Sequence, residues 1–206
     1  MAGTIVVGNH THEEILDSLN AVDEMAVGTR AGSRLRSRMM HFAADEDFRI
    51  YASSMKGDPK TLQIVNDPSI SLLVLDRRTD QSGWREIEVT GRAEIVTDPA
   101  ERARALEMVS GPSPIVAHLK GAGQTDILDF IRITPIEVKM RIFGEIVAGM
   151  PPTVVEFEEN ARAESDLAGV RKRFTAWREA VRTLSLLASL VPVALGVAFA
   201  WNITGE

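Results

Sequence analysis

Residues 34–66 read RLRSRMMHFAADEDFRIYASSMKGDPKTLQIVN, and the fold turns on how this stretch is parsed. Arg34, Arg36 and Arg38 alternate along one strand, Asp45-Glu46-Asp47 make a tight acidic turn, and Phe48 to Ala52 form a second strand. That strand runs into Ser53 and Ser54, a Gly57-Asp58-Pro59 loop, and Lys60 at the head of a helix whose buried side is expected to hold Leu62, Ile64 and Val65. One end of a strand pair thus gathers arginine, two hydroxyls, lysine and the free N–H groups of a helix start. Such a set of donors suits a phosphate.

Upstream, His10 to Val22 places Thr11 as N-cap with Glu14 three residues on, ahead of Ile15, Leu16, Leu19 and Val22 at helical spacing. Met25 to Ala31 then alternates as a strand, and Gly32-Ser33 turns it back. Downstream, Ile70 to Leu75 is almost unbroken apolar, which predicts a central strand covered on both faces. Trp84 to Thr97 alternates for so long that Gly91 should mark a bulge or bend. Asp98-Pro99 opens a helix with Ala103, Leu106 and Val109 inward; Ser110 to Thr125, rich in glycine and proline, reads as a long loop. Phe130 to Phe143 is the last strand, with Pro135 at an edge or bulge. Six strands with short flanking helices make a mainly β, α+β domain over residues 1–150.

A chain of 206 residues with 45% hydrophobic and 25% charged residues can bury a real core. Its net charge of -6 argues against general nucleic-acid binding, which needs a basic footprint, so any anion site must be local. The chain has no cysteine, which removes disulfides and thiolate chemistry. His10, His12 and His118 show no ligand spacing with acidic clusters, so no metal site is expected.

Met150-Pro151-Pro152 ends the globular part, and residues 151–182 read as a charged linker helix from Val154 to Arg182, acidic first and basic later. From Thr183 to Gly205 the chain carries no charge and is apolar on all sides, the length of a transmembrane helix over 183–205. Arg171, Lys172, Arg173, Arg178 and Arg182 precede it, so the positive-inside rule keeps the body of the protein in the cytoplasm. A hydrophobic helix packed in an oligomer core is the alternative, and the linker helix could equally be a dimer-packing element.

The order of these pieces resembles the FMN-binding split barrel of the pyridoxamine 5'-phosphate oxidase-like superfamily, in particular its general-stress-protein-like members. The matching segments are MAVGTRAGSRLRSRMMHF, FRIYASSMKGDPKTLQIVNDPSISLLV, EVTGRAEIVTDPAERARAL and FIRITPIEV, spread from Met25 to about Phe143. The resemblance implies a six-stranded antiparallel split β-barrel that binds FMN at a homodimer interface. The family's phosphate-holding arginine falls on Arg38, its hydroxyl residues on Ser53 and Ser54, and its phosphate lysine on Lys60. Met39, Met40 and His41 would line the flavin ring, the methionines serving equally well as simple strand core, and Glu86 stands where family members often carry a flavin-reaching glutamine. The arginine- and histidine-bearing terminal strand of authentic vitamin B6 oxidases has no counterpart.

The function implied is a membrane-tethered flavoprotein oxidoreductase acting on a small molecule, with no side chain standing out as its catalytic acid or base. A deazaflavin-dependent reductase shares the barrel and the strand arginines, and Arg30, Arg34, Arg36 and Lys56 could serve its acidic cofactor tail. A non-catalytic flavin- or haem-binding protein is the third reading.

Overall fold

The computed structural model of the chain describes residues 4–157. Eight strands form one antiparallel sheet: β1 (Thr4–Val7), β2 (Glu24–Ala31), β3 (Arg34–Ala44), β4 (Ile50–Met55), β5 (Ser69–Asp76), β6 (Arg85–Ile95), β7 (Leu128–Ile142) and β8 (Thr153–Phe157). Six of them close a ring in the order β7-β4-β3-β2-β5-β6, because β6 returns to pair with β7. The expected six-stranded barrel is therefore present, and β8 and β1 extend the sheet beyond it. Closure removes the edge that β6 would otherwise expose.

The ring is split at one place. β3 pairs with β2 along Arg34 to His41, but it pairs with β4 only over Phe42 to Ala44. Alternation fills the inside: Met25 and Val27 of β2, Phe42 of β3, Leu72 and Val74 of β5, and Ile87 and Val89 of β6 are all buried. Gly91 sits at the register shift in the β6–β7 ladder and faces Pro135, so both residues mark one bulge, as their sequence context predicts.

Two helices stop the ends of the barrel. Helix α1 (His12–Leu19) carries the anticipated capping box between Thr11 and Glu14 and drives Ile15 and Leu19 into the core. Burying each such side chain stabilises the fold by ~1.5–3 kcal/mol. Helix α2 (Pro59–Asn66) closes the other end with Ile64 and Thr61 buried. Leu62 and Val65, expected on its buried side, are exposed instead, because they turn away from the one face that meets β2 and β6.

A second core lies outside the ring. Helix α3 (Pro99–Ser110), capped by Asp98, and α4 (Pro114–Gly121), capped by Ser113, lay Ala105, Val109, Val116 and Leu119 on Tyr51, Leu128 and Phe130 of β4 and β7. The segment expected as a long loop over 110–125 thus contains a helix. Its prolines occupy the turn before the helix and its first position, where proline does no harm. Ala103, expected inward, is exposed, and Ala105 takes its place.

Three further expectations are corrected. β5 is covered on one face only, with burial alternating along its length and Leu73 and Leu75 exposed. The linker helix does not begin at Val154, since residues 153–157 are β8, paired with both β7 and β1. The domain accordingly runs past residue 150. A short helix, α5 (Phe143–Val147), joins β7 to the turn before β8. The rest of the expected linker helix and the membrane helix over 183–205 lie outside the described residues; among the described residues no helix is long and apolar enough to cross a membrane.

Candidate functional site

Arg38 points inward from β3 toward α2. Its Nη2 donates to Thr29 Oγ1 at 2.8 Å and to Gln63 Oε1 at 3.0 Å, while Thr29 itself donates to Gln63 at 2.7 Å. The two acceptors are neutral, and the other terminal nitrogen, Nη1, is shielded from solvent with no partner among the described residues. A shielded, unused guanidinium nitrogen is costly and calls for an acceptor. Burial pushes the pKa of this arginine down, opposed by the carboxylate of Asp58 and helped by the charge of Arg36. The group stays protonated all the same.

Lys60 does belong to this neighbourhood, but its ammonium is already engaged. Its Nζ lies 2.6 Å from Asp58 Oδ2, and its backbone N–H donates to Asp58 Oδ1 at 3.0 Å. Pro59 has no N–H to give, and the Thr61 N–H and hydroxyl both go to the Asp58 carbonyl. The helix start therefore offers fewer free amides than its sequence suggests.

Strand parity separates the remaining candidates. Phe42 N–H donates to Asp23 C=O, so even positions of β3 bond to β2, and the amides of Met39 and His41 turn to the side where β4 has parted. The side chains of Met39 and His41 lie on the outer face and that of Met40 packs against the core. Ser54 is buried, donating to the Met55 carbonyl at 3.2 Å; Ser53, its neighbour on the strand, points to the opposite face. Glu86 stands on β6 beside Leu75 and Arg141, accepts from Arg141 at 3.0 Å, and is remote from the Arg38 cluster.

Outside the split, a groove of about 700 Å³ runs over the outer face of β2, β3 and β5. Ala26, Met39, Leu73 and Leu75 make its floor, with Asp23, Glu24, His41 and Arg77 supplying polar groups. His41 Nδ1 lies 3.2 Å from the Asp23 carbonyl. The expected residues thus scatter: Arg38 and Lys60 lie near α2, Met39 and His41 at the open edge and groove, Met40 against the core, Ser54 buried with Ser53 on the opposite face, and Glu86 in a surface ion pair. Thr29, Gln63 and Asp58 were not anticipated as site residues. Thr29 could have been found, since it shares the inward parity of Met25 and Val27.

The family model for pyridoxamine 5'-phosphate oxidase matches residues 11–141, well over half of the chain. The chain belongs to the pyridoxamine 5'-phosphate oxidase family. The match takes in α1, the six ring strands and the Arg38 cluster and stops before β8, whose sequence TVVEF has neither arginine nor histidine. Solved structures agree in fold. A conserved hypothetical protein of Mycobacterium tuberculosis superposes with a TM-score of 0.56 at 20% identity, covering 70% of this chain and 91% of that one. A NimC/NimA family protein of Clostridium acetobutylicum gives 0.51 at 16% identity, over 69% and 92%. An FAD-binding protein of Mesorhizobium loti gives 0.50 at 20% identity, over 75% and 98%. No curated protein matches the chain. Among the described residues no group of acidic, histidine or cysteine side chains could hold a metal ion.

Proposed function

We propose that the chain is a flavin-binding oxidoreductase of this family, holding FMN by its phosphate at Arg38. The observation that carries the reading is the shielded, unpartnered Nη1 of Arg38, held in place through Nη2 by Thr29 and Gln63. Nη2 has both its hydrogens on Thr29 and Gln63, which leaves Nη1 to take a phosphate oxygen in a charge-assisted bond. Lys60 would swing from Asp58 to share that charge. The amides of Met39 and His41, which face no paired strand among the described residues, give the open edge of β3 donors for the polar rim of a flavin ring, with Met39 as an apolar rest. That a neighbour in fold is named an FAD-binding protein supports a flavin over other phosphates.

When bound, a flavin supplies hydride or electron transfer at its ring, and the protein's part is to position it and tune it. Exposed Met39, Leu73 and Leu75 on the outer face support a homodimer that buries this groove. The uncharged stretch over 183–205 supports a membrane tether with the barrel on the cytoplasmic side. A quinone-like acceptor would suit such a location.

The experiment is an absorption spectrum of the full chain purified in detergent, followed by mass spectrometry of the molecule released on denaturation. Flavin bands and released FMN are expected. Protein that is colourless and does not take up added FMN would overturn the reading and direct attention to a deazaflavin.

A further inference from the structure

The loop that delivers Lys60 also delivers a carboxylate. Asp58 caps α2 through Oδ1, holds Lys60 Nζ with Oδ2 at 2.6 Å, and takes both the amide and the hydroxyl of Thr61 on its carbonyl. An anion arriving at Arg38 therefore finds the second cation neutralised. Capping alone does not require this, because asparagine or serine serves an N-cap as well as aspartate does. The charge of Asp58 is thus a feature with a separate consequence.

Counting the neighbouring charges, Arg38 and Lys60 against Asp58 leave one net positive charge; Arg36 is close enough to affect Arg38 but is exposed to water. A phosphate monoester, close to doubly charged at neutral pH, overfills that balance. The pyrophosphate of FAD carries two negative charges as well, whereas riboflavin carries none. We propose that Asp58 is a built-in competitor that weakens capture of a flavin's phosphate and so narrows the cluster's preference for FMN over riboflavin. The inference rests on the flavin reading given above.

Asp58 is the N-cap of α2 and its charge is felt at Arg38, so its repulsion acts on a phosphate held there, while its pairing with Lys60 stabilises the free state. Both effects have the same sign. The carboxylate is held charged by its bonds to Lys60, which lower its pKa, so the competition is fully present at neutral pH.

The test is a fluorescence titration of the full chain, stripped of flavin, with FMN, FAD and riboflavin, comparing wild type with Asp58→Asn. Removing the charge while keeping the cap should tighten FMN about tenfold, tighten FAD too, and leave riboflavin unchanged. Unaltered or weaker FMN binding in Asp58→Asn, with wild type binding FMN, overturns the inference and leaves the flavin reading intact. An equal gain for riboflavin overturns it too, because riboflavin has no phosphate to repel. Failure of both proteins to bind any of the three flavins overturns the flavin reading and this inference with it. Asp58→Ser, checked by circular dichroism, repeats the comparison if the asparagine variant does not fold.

Discussion

Gly91 stands opposite Pro135 at the bulge between β6 and β7, where a Cβ on residue 91 would lie 2.6 Å from the carbonyl oxygen of Thr134. The clash is with backbone, so no side-chain rotation relieves it. The ladder on both sides must shift, and β6 and β7 are the most extensively paired strands of the barrel. Gly91→Ala should therefore cost about 2–3 kcal/mol, read as a lower urea midpoint with an unchanged slope.

Phe48 is a non-glycine residue with φ of 59°, in the turn between β3 and β4, and it is fully buried. Its ring meets His12 edge-on at 4.4 Å between centroids and Phe157 at 6.0 Å, joining α1, the turn and β8. Packing holds the backbone in a conformation that L-residues avoid. Phe48→Ala should lose about 3–5 kcal/mol, measured by chemical denaturation.

Asp76 at the end of β5 is almost wholly buried and accepts from the backbone, Nε and Nη2 of Arg78. Its pKa is lowered by those bonds first, and Asp58 and Asp67 are lowered likewise by bonds to Lys60 and Ser69. A depressed folded-state pKa contributes stability that is present above the ordinary aspartate value and is lost as pH falls through and below about 4. Arg78 is half in solvent, so the pair is screened. Asp76→Asn should cost about 1–2 kcal/mol at pH 7 and progressively less on acidification, giving a shallower acid limb in thermal melts across pH.

Arg38 commits Nη2 to Thr29 and Gln63 and keeps Nη1 without a partner among the described residues, and the single nitrogen of lysine cannot do both. Arg38→Lys should therefore fail to restore what Arg38→Ala loses: both should weaken FMN retention at least about tenfold by equilibrium dialysis. Riboflavin binding, which involves no phosphate, should change little in either variant.

Much of this was legible from local chemistry. The Thr11–Glu14 capping box, the Asp58-Pro59 and Asp98-Pro99 helix starts, and the Gly91 bulge are decided within a few residues, and the structure agrees with each. β1 and β8 were not legible, because four- and five-residue strands have too little pattern and are stabilised by partners far along the chain. α4 was obscured because Gly111, Pro112 and Pro114 signal a loop unless Ser113 is recognised as a cap. The apolar run of β5 was misjudged for a different reason: Leu73 and Leu75 are apolar and exposed, which composition cannot tell from apolar and covered. At the site, the sequence places Arg38 and Lys60 close together, but does not show that the Asp58 carboxylate already holds Lys60.

β8 is gripped on both flanks, by β7 over Glu137 to Met140 and by β1 over Thr4 to Val7. Beside Thr153, Gly8 leaves room that a Cβ would close, its nearest backbone approach being 2.6 Å. Tension applied at Phe157 along the strand would load both ladders at once in shear, rather than peel the hydrogen bonds one at a time. The last described strand of the sheet is thus a mechanical fastening: a pull on the chain beyond it is shared between β1 and β7, so only part of it falls on the ring that carries Arg38.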